Sequence, residues 1–153
     1  MSIMWKYLDK RKATIAAIED FESMQFIINS TDDEIKRIYE KMDSVGSIKF
    51  DGMPKTHNPK AGEERILNTI EEIDVLKERY RQAVEYMDWF LPAWQQLNDE
   101  EKYILETFYS SANNYGCNAV YYLADYLKIE TPTVYKRKNK ALDRLMVLLF
   151  GKG

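Results

Sequence analysis

Apolar residues recur at alternating spacings of three and four in two long stretches of the chain. This spacing places them on one face of an α-helix, so each stretch predicts a long helix with one apolar seam. The first seam comprises Phe21, Met24, Ile28, Thr31, Ile35, Ile38, Met42 and Val45. The second comprises Ile66, Ile70, Ile73, Tyr80, Val84, Met87, Leu91 and Trp94, interrupted by Lys77. The two helices are predicted to pack antiparallel as a hairpin, because each apolar seam must be buried away from water.

Three interruptions are expected along this hairpin. Thr31 and Glu34 have the spacing of a capping box, which predicts a kink or a break near residues 29–31. Residues 44–61 lose the periodicity and are rich in glycine, proline and polar residues, so they predict a flexible connector. Pro92 lacks a backbone N–H and predicts that the second helix ends or kinks there. As an alternative, the same seams are suited to an intermolecular coiled coil with another chain.

The remaining residues predict three shorter helices. Asn98 is a suitable N-cap for a helix at 99–109, and Glu101 stands where a capping box needs it. The sequence SSANNYGCN predicts a loop, and a helix at 118–127 follows it. The sequence therefore predicts an all-α protein, with a helical hairpin at residues 1–97 and a smaller domain at 98–153.

The last helix is expected to run from Pro132 to Phe150, with Thr131 as its N-cap and Gly151 stopping it. Together with the helix at 118–127 and a short turn, it matches a helix-turn-helix, in which the second helix enters the DNA major groove. Its inward side is predicted to pack against Val120, Leu123, Ala124 and Leu127. The inward residues are Val134, Ala141, Leu142, Leu145 and Leu149.

The rest of this helix supplies the predicted DNA-binding residues. Its first two turns are expected to reach base edges, and the later basic residues to reach phosphates, while Asn139 is suited to either. The set is Thr131, Thr133, Tyr135, Lys136, Arg137, Lys138, Asn139, Lys140 and Arg144.

The charge distribution agrees with this prediction, although the whole chain is acidic. Residues 131–153 hold six basic residues and one acid, a charge of +5, which leaves −8 on the remainder of a chain with net charge −3. Attraction to phosphate depends on the local field, because salt screens charges beyond about 10 Å. Overall acidity therefore does not exclude binding to DNA.

Other functional classes find little support in the sequence. Cys117 and His57 are the only residues of their kinds and lie far apart, so neither a metal site nor a cofactor is expected. Phosphate-binding loops and catalytic motifs are missing from the sequence, which predicts that the protein is not an enzyme. The longest apolar run, residues 145–150, is far shorter than a membrane span, so we expect no membrane association and a cytoplasmic location.

Two stretches also resemble a known family. LNDEEKYILETFY and YYLADYLKIETPTVYKRKNKALDRL are similar to region four of bacterial sigma factors, with Ala124 and the run Ala141–Leu145 at the family's positions. With the MPKTHNPKAGEERI connector included, the chain resembles the ArpU-like and RinA-like regulators of phages and prophages. The resemblance implies control of phage late-gene transcription. The family's turn commonly has glycine where this chain has Lys128, which must then adopt a left-handed or adjusted conformation.

The sequence thus predicts a DNA-binding transcriptional regulator, with duplex DNA, RNA polymerase and a second copy of the chain as partners. One rival is a phage terminase small subunit, which combines a helix-turn-helix with long helices and forms rings. Another is a sigma-like adaptor that binds polymerase without touching DNA. The basic helix could also be only a solvated surface, since charged helices are common.

Overall fold

A computed structural model describes residues 8–46, 59–111 and 115–152. Its regular structure is entirely helical, which confirms the predicted all-α class. None of its helices has the length and apolar character needed to cross a membrane. The helices are α1 (Lys10–Gly46), α2 (Pro59–Gln95), α3 (Asp99–Tyr109), α4 (Ala119–Leu127) and α5 (Thr131–Phe150), and a 3-10 turn at Gly116–Asn118 precedes α4.

The first long helix is continuous, so the predicted break near residues 29–31 is wrong. The Thr31 hydroxyl does not cap a new helix. Instead it donates to the Ile27 carbonyl oxygen one turn earlier, at 2.5 Å. A threonine that bonds to the preceding turn satisfies its own hydroxyl and leaves the helical backbone intact.

The second long helix continues through Pro92 to Gln95, so the prediction that it ends at the proline is also wrong. Phe90 and Ala93 are both buried, and their packing holds the helix on either side of the proline. The predicted connector is shortened at both ends, because α1 reaches Gly46 and α2 begins at Pro59. Its middle part, residues 47–58, lies outside the described residues.

The chain divides into two compact units, and the division crosses both long helices. Residues 26–84 form the hairpin unit. Residues up to 25 and from 85 onward form the second, which we call the terminal unit. The N-terminal part of α1 and the C-terminal part of α2 thus belong to the same unit as the C-terminal helices, whereas the sequence predicted a domain boundary at residue 98.

The hairpin unit buries only part of its predicted seam. Ile73 and Thr31 are buried, but Ile66 and Ile70 remain 51% and 49% exposed. A charged contact also joins the two helices of this unit, because Arg79 Nη2 donates to both carboxylate oxygens of Glu34 at 3.0 Å.

The main core of the terminal unit combines four helices. Side chains from α1 and α2 meet Leu105 of α3 and the inward side of α5. Two hydrogen bonds to backbone oxygens reinforce it: the Tyr86 hydroxyl donates to Ala17, and Trp89 Nε1 donates to Leu149 at 3.3 Å. The buried members are Ala17, Ile18, Phe90, Ala93, Leu97, Leu105, Ala141, Leu142, Leu145 and Leu149.

The five inward residues predicted on α5 are all buried, but they do not share one partner. Val134 packs with Val120 and Leu123 in a second cluster, as predicted. The other four join the main core. Length explains the difference, because α4 has 9 residues and α5 has 20, so α4 covers only the first turns of the longer helix.

Candidate nucleic-acid interface

The turn between α4 and α5 depends on the left-handed conformation of Lys128. This residue has φ 55° and ψ 47°, and its N–H donates to the Ala124 carbonyl oxygen. The Ile129 N–H donates to the same oxygen at 3.1 Å. This geometry ends α4 abruptly and lets α5 begin three residues later, as a helix-turn-helix requires.

Lys128→Gly is expected to raise the free energy of unfolding by about 0.5–1 kcal/mol, because glycine lacks the Cβ that disfavours this conformation. Lys128→Ala retains the Cβ and is the matched control, with a change below about 0.5 kcal/mol. Urea denaturation monitored by circular dichroism measures both. Equal stability of the glycine and alanine variants would contradict the expectation.

The last helix begins one residue earlier than predicted. Glu130 is the N-cap, with an extended ψ of 151°, and Thr131 is already helical. The Glu130 carbonyl oxygen accepts from the Thr133 and Val134 N–H groups at 3.0 and 3.1 Å. Thr131 is therefore not the cap, and Pro132 occupies the second helical position. The predicted end is confirmed, because α5 stops at Phe150 before a positive-φ Gly151.

Two lysines occupy the centre of the exposed side of α5. Lys136 and Lys140 lie one helical turn apart, directly opposite the buried Leu145 and Val134. Both are exposed, and neither forms an ion pair with the residues that the structure describes. We call this side the outer face. It also carries Asn139, while Thr131 and Thr133 are half-buried near the start of the helix and Tyr135 is 46% exposed at its side.

Lys138 points away from the outer face. It lies four residues after Val134 and four before Leu142, both fully buried, so helical periodicity places it on the inward side. Its ammonium lies 5.1 Å from the centre of the Phe108 ring and 5.2 Å from that of Tyr135. Burial lowers the pKa of Lys138, and the Arg11 cation adds to the shift. The structure thus separates Lys138 from Lys136 and Lys140 of the outer face.

The N-terminal end of α3 flanks the outer face with two carboxylates. Glu100 forms an ion pair with Arg137. Glu101 forms one with Arg144 at 2.6 Å, and Arg144 also donates to the Gln96 carbonyl oxygen at 3.0 Å. A cleft of about 280 Å³ lies between these groups, and Lys140 contributes to its lining. Both arginines therefore lie on the side of α5 that was predicted to bind DNA, but each already forms an ion pair with α3.

Glu101 has a second role, because the predicted capping box is confirmed. Its backbone N–H donates to Asn98 Oδ1 at 2.8 Å, and its carboxylate accepts from the Asn98 N–H at 3.2 Å. The same carboxylate oxygen, Oε1, accepts from Arg144. The cap at the start of α3 thus fixes one of the two anions that face α5.

Arg11, near the start of α1, flanks the opposite side. Its guanidinium donates to Asn139 Oδ1 at 2.7 Å and to Asp143 Oδ1 at 3.2 Å. Sequence reasoning missed this residue. The basic run Lys10–Lys12 is visible, but no local pattern links it to a helix 128 positions away. Because Arg11 pairs with the one acid of α5, the outer face is more basic than its own sequence indicates.

No family profile, curated protein or solved structure matches this chain. Its function must therefore be inferred from its own residues and their geometry.

Proposed function

We propose that this protein binds duplex DNA sequence-specifically through α5 and regulates transcription. The observation that carries this proposal is the outer face, where the exposed Lys136 and Lys140 lie on the second helix of a helix-turn-helix. The second helix of a helix-turn-helix lies in the major groove, so its basic side chains can contact DNA phosphates and the hydrogen-bond acceptors of guanine.

Arg137 and Arg144 contribute to DNA binding once a phosphate replaces the glutamate that each contacts on α3. In the Arg144–Glu101 pair the glutamate is only 16% exposed. In the Arg137–Glu100 pair the two side chains are 44% and 43% exposed, so this is a surface pair. Such pairs are worth about 0–1 kcal/mol. A phosphate oxygen offers each guanidinium a charge-assisted hydrogen bond of comparable or greater strength. DNA can therefore displace Glu100 at low cost, while Thr133 and Lys136 reach base edges near the start of the helix.

The biological setting is proposed from the family resemblance. Sigma region four and the ArpU-like and RinA-like regulators suggest late-gene control in a phage or prophage. In this proposal the hairpin unit provides contact with RNA polymerase or with a second copy of the chain. The half-exposed Ile66 and Ile70 favour such a role, since they offer apolar area for a partner.

Selection from a pool of random duplex DNA tests the proposed function. The purified protein, at about physiological salt, should enrich a defined sequence motif. Two half-sites at a fixed spacing in that motif would show that a dimer binds. Absence of any enriched motif would overturn sequence-specific regulation and favour the polymerase adaptor, and a ring-sized mass in solution would favour the terminase rival.

Removing the two carboxylates of α3 should strengthen DNA binding. The double variant Glu100→Gln and Glu101→Gln frees both arginines and removes two negative charges facing the DNA. Glutamine also serves in a capping box, so the start of α3 is preserved. We expect the dissociation constant to fall about 3- to 10-fold at low salt, and less at high salt. Fluorescence anisotropy with a labelled duplex measures the change.

The matched control is Glu71→Gln with Glu72→Gln, which makes the same charge change on exposed residues of the hairpin unit. Its effect on affinity should be below about 2-fold, because salt screens distant charges. An equal gain in both double variants would show that only net charge matters.

A further inference from the structure

Arg11 restricts what Asn139 can offer to DNA. An arginine side chain has hydrogen-bond donors and no acceptor, so only the amide oxygen of Asn139 can face it. The 2.7 Å bond therefore occupies Oδ1 and leaves the two N–H donors of the Asn139 amide for another partner. Because Asn139 is exposed, those donors are accessible to solvent.

This orientation bears on base recognition. Asparagine reads adenine by donating to N7 and accepting from N6–H, which needs both its oxygen and its nitrogen. The Arg11 bond uses one of the two lone pairs of the Asn139 oxygen and holds that oxygen against the guanidinium, which leaves the two N–H donors as the groups offered to DNA. Asn139 is also the ninth residue of α5, beyond the first two turns that lie closest to the bases. A phosphate oxygen, which only accepts hydrogen bonds, is the matching group.

Arg11 retains capacity for the same phosphate. Its side chain is 45% exposed, and its bonds to Asn139 and Asp143 use two of its five N–H donors. Its charge lies beside Asn139 on the side of the outer face away from Glu100 and Glu101. A phosphate placed there would meet two amide donors and the remaining donors of a guanidinium that shares its charge with Asp143.

We infer that Arg11 of α1 and Asn139 of α5 form a composite contact for one DNA phosphate, in which Arg11 positions the Asn139 amide as a donor. This inference rests on the proposed function. It extends the DNA interface from the helix-turn-helix to the beginning of the first helix. The contact positions the protein on DNA without reading sequence.

The test compares variants on a duplex that carries the selected motif and on a scrambled duplex. Arg11→Gln should weaken binding to both by about 5- to 10-fold. It should also reduce the slope of log K against log salt by about 0.9, the value for one lost phosphate contact. Arg11→Lys retains the charge and should recover most of the slope. Asn139→Asp, which no longer donates, should weaken binding more than Asn139→Ala, and Asn139→Ala should leave the selected motif unchanged.

Arg81→Gln is the matched control, because Arg81 is an exposed, ion-paired arginine of the hairpin unit. It should leave the affinity and the salt slope as in the unmodified protein. If the unmodified protein binds and Arg11→Gln keeps its salt slope, or if Asn139→Ala alters one base of the motif, the composite contact is wrong while the proposed function stands. If the unmodified protein binds no duplex, both fail.

Discussion

Replacing Lys136 and Lys140 together with alanine should weaken binding to the selected duplex by about 30- to 1000-fold. Each lysine contributes about 1–2 kcal/mol if it contacts a base edge or a phosphate in the groove. The two lie one turn apart at the centre of the outer face and have no ion pair to lose among the described residues. Alanine also favours helix more than lysine does, so the far-ultraviolet circular dichroism should not fall.

The matched control is Lys36→Ala with Lys77→Ala, which removes two exposed lysines from the hairpin unit. This variant makes the same change in net charge and should bind within about 2-fold of the unmodified protein, since salt screens distant charges. Anisotropy titrations at two salt concentrations separate the two variants. Unchanged affinity after loss of Lys136 and Lys140 would remove α5 as the DNA-binding helix.

Leu145→Ala should destabilise the terminal unit by about 2–5 kcal/mol. Leu145 is completely buried in the main core, so truncation removes apolar contacts and leaves a cavity. A loss of this size is a large part of the 5–15 kcal/mol that typically stabilises a domain. Urea denaturation followed by tryptophan fluorescence reports it, because Trp94 packs against the same core.

Leu148→Ala on the same helix is the control. Leu148 is 41% exposed, so the identical change should cost less than about 1 kcal/mol. Similar losses for the two leucines would mean that α5 does not pack in the observed orientation.

The sequence predicted best those features that depend on local chemistry. The capping box of Asn98 and Glu101 needs only residues three apart, and Gly151 ends α5 through its own positive φ. The predicted break at Thr31 and the predicted helix end at Pro92 were wrong, because such residues end a helix only when the surrounding contacts do not stabilise it. In α1 the Thr31 hydroxyl bonds to the preceding turn, which leaves the helix continuous. In α2 the buried Phe90 and Ala93 hold the helix on either side of Pro92. The alternative of a kink at either residue stays a prediction.

Features that depend on contacts distant in the sequence were not predictable. The inward residues of α5 follow from periodicity, but their partners Ala17 and Phe90 belong to helices that the sequence placed in another domain. The ion pairs of Arg137 and Arg144 with α3 need the packing of two helices to be known. The inward position of Lys138 was predictable, because its spacing from Val134 and Leu142 places all three on one side of the helix.

The composition of the main core has a consequence for the synthesis of the protein. Ala17 and Leu145 share this core, yet 128 residues separate them in the chain. At about 5–20 residues per second, a ribosome needs roughly 6–26 s to add that interval. During this time the apolar start of α1 lacks its partners from α5. A prematurely terminated chain would be left with exposed apolar surface and without the outer face.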